Sequence, residues 1–149
     1  MTERIERKVS EEAEKKQSFW LFLAWAAAVM ATAGSLYLSE VMHFVPCSLC
    51  WFQRIFMYPL AILLGIAYAK GDRGIVSYSL PLVIIGGGIS LYHTIMQKLP
   101  HDSPLAACGP ESCQGDYLNW FGFITIPMLA LTAFAIILLA LLRIRKLDK

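Results

Sequence analysis

Charge is scarce in this sequence: only 16% of its 149 residues are Asp, Glu, Lys or Arg. Apolar residues make up 57% and the mean hydropathy is +0.55, which leaves no material for a water-soluble shell. No basic stripe interleaved with aromatics is present, so nucleic acid is not an implied partner. There is no internal repeat and no low-complexity segment, and the length allows one domain. Cysteine is sparse as well. The four present allow three pairings, among which sequence alone does not choose.

What is abundant is apolar length. A helix that crosses a membrane needs roughly 20 mainly apolar residues to cover ~30 Å of hydrocarbon. Four segments qualify, at residues 19–38, 51–69, 75–96 and 121–142. The first and last hold no charge, the second holds Gln53 and Arg54 near its start, and the third holds His93 near its end. The expected fold class is all-α, an integral membrane four-helix bundle over residues 19–142. A charged tail (1–18, ten of its residues charged) and a basic tail (143–149) flank it. Ala31-Thr32-Ala33 resembles a signal-peptidase site, but an 18-residue charged tail is long for a signal peptide, so no cleavage is expected.

Basic residues set the topology. Arg4, Arg7, Lys8, Lys15, Lys16, Lys70, Arg73, Arg143, Arg145, Lys146 and Lys149 fall on one side, 11 of the 13 in the chain. That side is expected to be cytoplasmic and to hold both termini. The two opposite loops hold Lys98 against Glu40, Asp102, Glu111 and Asp116. Within the spans, Gly86-Gly87-Gly88 suits close helix approach, and Pro59, Pro81 and Pro127 are expected to kink their helices.

All four cysteines fall on the outer side, where disulfides form and persist. Cys47 and Cys50 sit where the first outer loop enters the second span, with Pro46 just ahead. Residues three apart on a helical turn are neighbours, and slight unwinding brings two such cysteines to bonding geometry. A helix N-terminus favours an anion, and the thiolate is the reactive form of cysteine. The sequence thus predicts a reactive dithiol at the membrane surface, within reach of a lipid-soluble molecule.

Arg54 lies one turn deeper than Cys50 on the same face. An arginine inside a span costs about 2.5–3.5 kcal/mol on insertion scales and commonly has a functional role. It can stabilise the Cys50 thiolate or an oxygen gaining negative charge on a quinone. The plainer reading is that it snorkels to the interface; beside the cysteine pair, function is favoured. His93 and Gln97 share a face in the last turn of the third span, at the same outer depth, although a lone interfacial histidine is more often simply satisfied in place. His43 and His101 lie in loops without comparable signal. Cys108 and Cys113 sit in a turn-rich loop with Gly109, Pro110 and Ser112. The ring they would close is short and constrains the unfolded chain little, which suits a disulfide meant to open and reclose.

The run Cys47-Ser48-Leu49-Cys50-Trp51-Phe52-Gln53-Arg54 resembles the Cys-x2-Cys-x3-Arg signature of the DsbB thiol oxidases. Tyr92 to Gln97 resembles the end of that family's third span, and Trp120-Phe121-Gly122 through Pro127 the start of its fourth. Cysteine order and topology agree, and the closeness of Cys108 to Cys113 is similar to the short Gram-positive BdbC branch. The resemblance implies a bacterial cell-membrane enzyme that generates disulfides. Cys108 and Cys113 would face a DsbA-like thioredoxin-fold partner, and Cys47 and Cys50 a quinone, menaquinone or ubiquinone. Cys50 would make the thiolate contact, aided by Arg54 and His93, with Gln97 beside them. The resting disulfides are expected to be Cys47–Cys50 and Cys108–Cys113, each pair being local, and no metal is expected.

Three other classes compete. A four-cysteine zinc site has tolerable ligand spacing, but an oxidising compartment and two intervening spans argue against it. A membrane scaffold with two inert disulfides is a second alternative. The vitamin-K-epoxide-reductase-like family places its quinone-side CxxC after its loop cysteines, the reverse of the order here.

Overall fold

The structure, a computed structural model, describes residues 1–43, 46–98 and 125–148. Among these residues it is all helical: α1 spans Thr2–Glu40, α2 Ser48–Lys70, α3 Ile75–Lys98 and α4 Ile126–Leu147. All four are long and apolar enough to cross a membrane. Each helix packs on its neighbours in sequence, and α1 closes on α4, so the bundle runs in the cyclic order α1-α2-α3-α4.

The boundaries follow from local chemistry. Cys47 caps α2 in an extended conformation, and the Trp51 N–H donates to the Cys47 carbonyl at 3.1 Å to close the first turn. At the far end Gly71 adopts φ +66°, a left-handed conformation that glycine reaches without a Cβ penalty. The Gly74 N–H donates to Asp72 Oδ1 at 2.8 Å, which tightens the turn into α3.

Two expectations change. The charged residues read as a tail are largely exposed, and from Thr2 they continue α1 as helix. Glu3, Glu11 and Glu12 each precede a basic residue by four positions, the favourable orientation for helical pairs. Pro127 does not kink a span: α4 begins at Ile126, so Pro127 stands in its first turn, where a missing N–H removes no helical bond. Pro59 and Pro81 do lie inside α2 and α3. Residues 121–124, expected to open the fourth span, lie outside the described residues.

The core runs through Leu60, Leu64, Val83, Phe134, Ile137 and Leu141, all buried. Of the three consecutive glycines only Gly86 is crowded: a Cβ there would lie 2.5 Å from the Phe134 ring and 3.0 Å from Phe56 Cβ. Phe22, Met30, Ile62, Ile84 and Leu139 face outward, the exposure pattern of a bundle whose solvent is lipid. At one end, Arg73 pairs with Glu14 at 3.4 Å and Arg143 lies over the Trp20 ring at 5.9 Å. The N-terminal part of α1 and the C-terminal part of α4 therefore share that end. The cysteine pair lies at the other.

Candidate active site

The site forms where the last turns of α1 and α3 meet the first turns of α2 and α4. Cys47 and Cys50 stand as two half-buried thiols with their Sγ atoms 3.0 Å apart. A disulfide bond of about 2.05 Å is reached from there by roughly 1 Å of movement. His93, on α3, points into the pair with its Nε2 3.7 Å from Cys47 Sγ. Its ring is 1% exposed, and its other nitrogen, Nδ1, lies 3.2 Å from Nε2 of Gln53, itself 5% exposed.

These contacts form a connected chain. The Gln53 amide donates to Nδ1, which leaves the ring proton on Nε2, facing Cys47 Sγ. Cys47 Sγ in turn lies within hydrogen-bond distance of Cys50 Sγ, at 3.0 Å. Cys47 precedes α2, outside the spanning helix, and its thiol is pushed up to about 12. The hydrogen bond with Cys50 contributes most, burial next, and His93 opposes both. A helix N-terminus alone lowers a thiol pKa; here the neighbouring sulfur and burial outweigh it. Cys47 is thus held as a thiol, with the imidazole of His93 on one side and the Cys50 sulfur on the other.

Arg54 is half-buried and partnered within the bundle. Its Nη2 donates to the Ser35 carbonyl near the C-terminal end of α1 at 3.1 Å, and its guanidinium lies 5.5 Å from the Trp51 ring centroid. The C-terminal end of a helix attracts cations, and an aromatic face adds to that. Arg54, Gln97, His93 and both cysteines line one cavity of about 530 Å³. Its long wall is apolar, built from small residues of α1 and α4, among them Ala31, Gly34, Ala130 and Ala133. Tyr58, two turns below Cys50 on α2, also lines it, with a buried hydroxyl that has no partner among the described residues.

The arrangement brings together Cys47, Cys50, Arg54, His93 and Gln97 among the residues singled out from the sequence. Cys108, Cys113 and His101 lie outside the described residues. His43 is exposed in the α1–α2 connection with φ +54°, away from the cavity lining. Two participants have no role assigned from the sequence, Gln53 and Tyr58. Their signal was present: a polar side chain three or eight positions after Cys50 in an otherwise apolar span. The sulfurs of Cys47 and Cys50 and a ring nitrogen of His93 lie within 4.8 Å of one another, the one group of metal-ligand type found among the described residues.

A bundle of four helices long and apolar enough to span a membrane, with a Cys-x2-Cys pair at the polar end of an apolar cavity, fits the class of membrane thiol:disulfide oxidoreductases. The family profile described as disulfide bond formation protein DsbB matches residues 16–144. The chain is 59% identical over 122 residues to a probable disulfide formation protein C 1 of Bacillus anthracis, covering 81% of this chain and 88% of that one. It is 49% identical over 126 residues to disulfide bond formation protein C of Bacillus subtilis (strain 168), covering 84% and 91%. A probable disulfide formation protein of Coxiella burnetii (strain CbuK_Q154) is 47% identical over 119 residues, 78% and 81% of the two chains. No solved structure matches. This chain belongs to the DsbB family of disulfide bond formation proteins, with relatives of the Bacillus disulfide formation protein C type.

Proposed function

We propose that this protein reoxidises a thioredoxin-fold thiol oxidase outside the cytoplasm and delivers the electrons to a membrane quinone. The observation that carries this reading is the position of Cys50 at the polar end of an apolar groove between α1 and α4. Such a groove suits a ligand with a polar ring and a long hydrocarbon tail. A bound quinone supplies a two-electron, two-proton acceptor. The donors toward it are the chain's own: Arg54, Gln97, and the hydroxyl of Tyr58, which has no partner among the described residues.

The electrons balance through two exchanges. A Cys108–Cys113 disulfide takes two electrons and two protons from the partner's dithiol, which leaves as a disulfide. The resulting thiols reduce a Cys47–Cys50 disulfide, and the Cys47–Cys50 dithiol is reoxidised as the quinone becomes quinol. The raised Cys47 thiol and the position of Cys50 on the cavity wall support Cys50 as the sulfur carrying negative charge. The cysteine end faces outward in this reading, and the Glu14–Arg73 end faces the cytoplasm of a bacterial cell, as the basic residues direct.

Anaerobic mixing of the oxidised protein with a reduced thioredoxin-fold oxidase and a soluble quinone analogue tests this. One quinone is expected to be reduced for each partner disulfide formed, read optically. Partner oxidation without quinone reduction, or neither reaction, would overturn it.

A further inference from the structure

We infer that the reduced site is also a redox-gated metal site, in which Cys47, Cys50 and His93 bind one zinc-class cation. The observation is the ligand set itself: two thiol sulfurs and an imidazole nitrogen from two helices, all within 4.8 Å of one another. Zinc takes sulfur at about 2.3 Å and nitrogen at about 2.0–2.1 Å, so tetrahedral ligands lie about 3.5–3.8 Å apart. The Cys47 Sγ to His93 Nε2 separation is 3.7 Å, and the two sulfurs need only open from 3.0 Å.

Two further features fit. All three ligands line the cavity, so a fourth position is open to water or a small ligand, as in three-ligand zinc sites. His93 also has the outer partner that ligating histidines use. Ligation through Nε2 requires the ring proton on Nδ1, and therefore an acceptor beside Nδ1. A half-turn of the Gln53 amide exchanges its Nε2 for Oε1 at that point, 3.2 Å from the ring. The same hydrogen bond thus serves two states, with the ring donating to sulfur or ligating metal.

The gate is stoichiometric. Binding M²⁺ releases the two thiol protons and gives a dithiolate complex. Two-electron oxidation of Cys47 and Cys50 to their disulfide removes both sulfur ligands and releases the cation. The metal therefore competes with the reoxidation described above, and holds the pair reduced when it is bound. As regulation this rests on the proposed function; as metal binding it rests on the ligand geometry alone.

The test uses the full-length protein in detergent or lipid nanodiscs, reduced and chelator-washed under anaerobic conditions, with Cys108→Ala/Cys113→Ala as the background. Equilibrium dialysis against Zn²⁺ is expected to show one ion per reduced chain. Co²⁺ substitution should give intense thiolate-to-metal absorption bands of tetrahedral type. Oxidation of the same sample to the Cys47–Cys50 disulfide should abolish binding, a comparison with no folding ambiguity. Cys50→Ser and His93→Ala are each expected to weaken binding at least roughly 100-fold, and Gln53→Leu about 10–100-fold, the range for lost outer partners. Equal binding by the oxidised and reduced forms, no binding by either, or affinity untouched by His93→Ala would overturn the inference. A protein that reduces quinone but binds no zinc sinks this proposal alone. One that binds zinc but never reduces quinone sinks only the proposed function.

Discussion

Gln53 Nε2 meets His93 Nδ1 at 3.2 Å across the seam of α2 and α3, and that bond turns the Nε2–H of His93 toward Cys47. Gln53 is accordingly a positioning residue. Gln53→Leu leaves a buried ring nitrogen unpaired, at a cost of about 1–3 kcal/mol. The expected outcome is slower alkylation of Cys50, by roughly tenfold, and a shift of its rate profile to higher pH. Because the residues act in series, Gln53→Leu with His93→Phe should fall well short of the sum of the single effects, by about 0.5–3 kcal/mol. Additive losses would show that Gln53 acts by packing alone.

The division of labour between the cysteine pairs has its own test. Cys50→Ser should abolish quinone reduction while the Cys108–Cys113 disulfide still accepts one round of electrons. Cys108→Ser or Cys113→Ser should block oxidation of the partner, yet leave Cys47–Cys50 able to react with a small dithiol. Peptide mapping of the resting protein without reductant should return the two local disulfides. A predominant crosslink between the loops would reject that pairing.

Much of this architecture was readable because a bilayer imposes a length and a composition that the sequence must display. The four apolar helices followed from the length and composition of the apolar runs. The start of α4 did not, because an apolar run does not mark which of its residues begins the helix; Pro127 carried that information and was read as a kink. Gln53 and Tyr58 were passed over for a different reason. An uncharged polar residue in a span has no fixed meaning until packing decides which side of the helix faces a cavity. Arg54 was legible as an anomaly, but its partner, a carbonyl of α1, is a tertiary fact.

Packing at the glycine triplet predicts an asymmetry in stability. Gly86→Ala brings a Cβ to 2.5 Å from the Phe134 ring, where α2, α3 and α4 converge, whereas a Cβ at Gly88 meets nothing within 4 Å. Overpacking of this kind costs typically 1–3 kcal/mol. Gly86→Ala should lower the thermal midpoint in detergent by several degrees, and Gly88→Ala should leave it unchanged. Equal effects would mean that helix propensity, not crowding, governs the triplet.

Tyr58 is the deeper polar point of the cavity, its hydroxyl buried and without a partner among the described residues. If it donates to bound quinone, Tyr58→Phe removes one hydrogen bond worth about 1 kcal/mol, or roughly a fivefold rise in KM. Exchange between the protein and the partner oxidase should not change. A loss confined to the partner reaction would remove Tyr58 from the quinone site.

Arg54 gives the sharpest contrast, since two accounts of it predict opposite results. In one, its charge serves Cys50 and the quinone, from a position fixed by the Ser35 carbonyl and the Trp51 ring. Replacing it by Met should then raise KM for quinone and move Cys50 alkylation to higher pH. Removing a donor aimed at developing charge typically costs about 3 kcal/mol, or 10²–10³-fold in rate. Lys restores only part of this, because a point charge cannot hold the α1 carbonyl and stack on Trp51 together. In the other account the side chain merely tethers α1 to α2. Arg54→Met should then lower thermal stability by about 1–3 kcal/mol while folded protein keeps wild-type kinetics. Measuring quinone kinetics, Cys50 alkylation against pH, and stability on the same three proteins separates the two. Wild-type kinetics in Arg54→Met, with only the midpoint lowered, would take Arg54 out of the reaction and leave it as a helix tether.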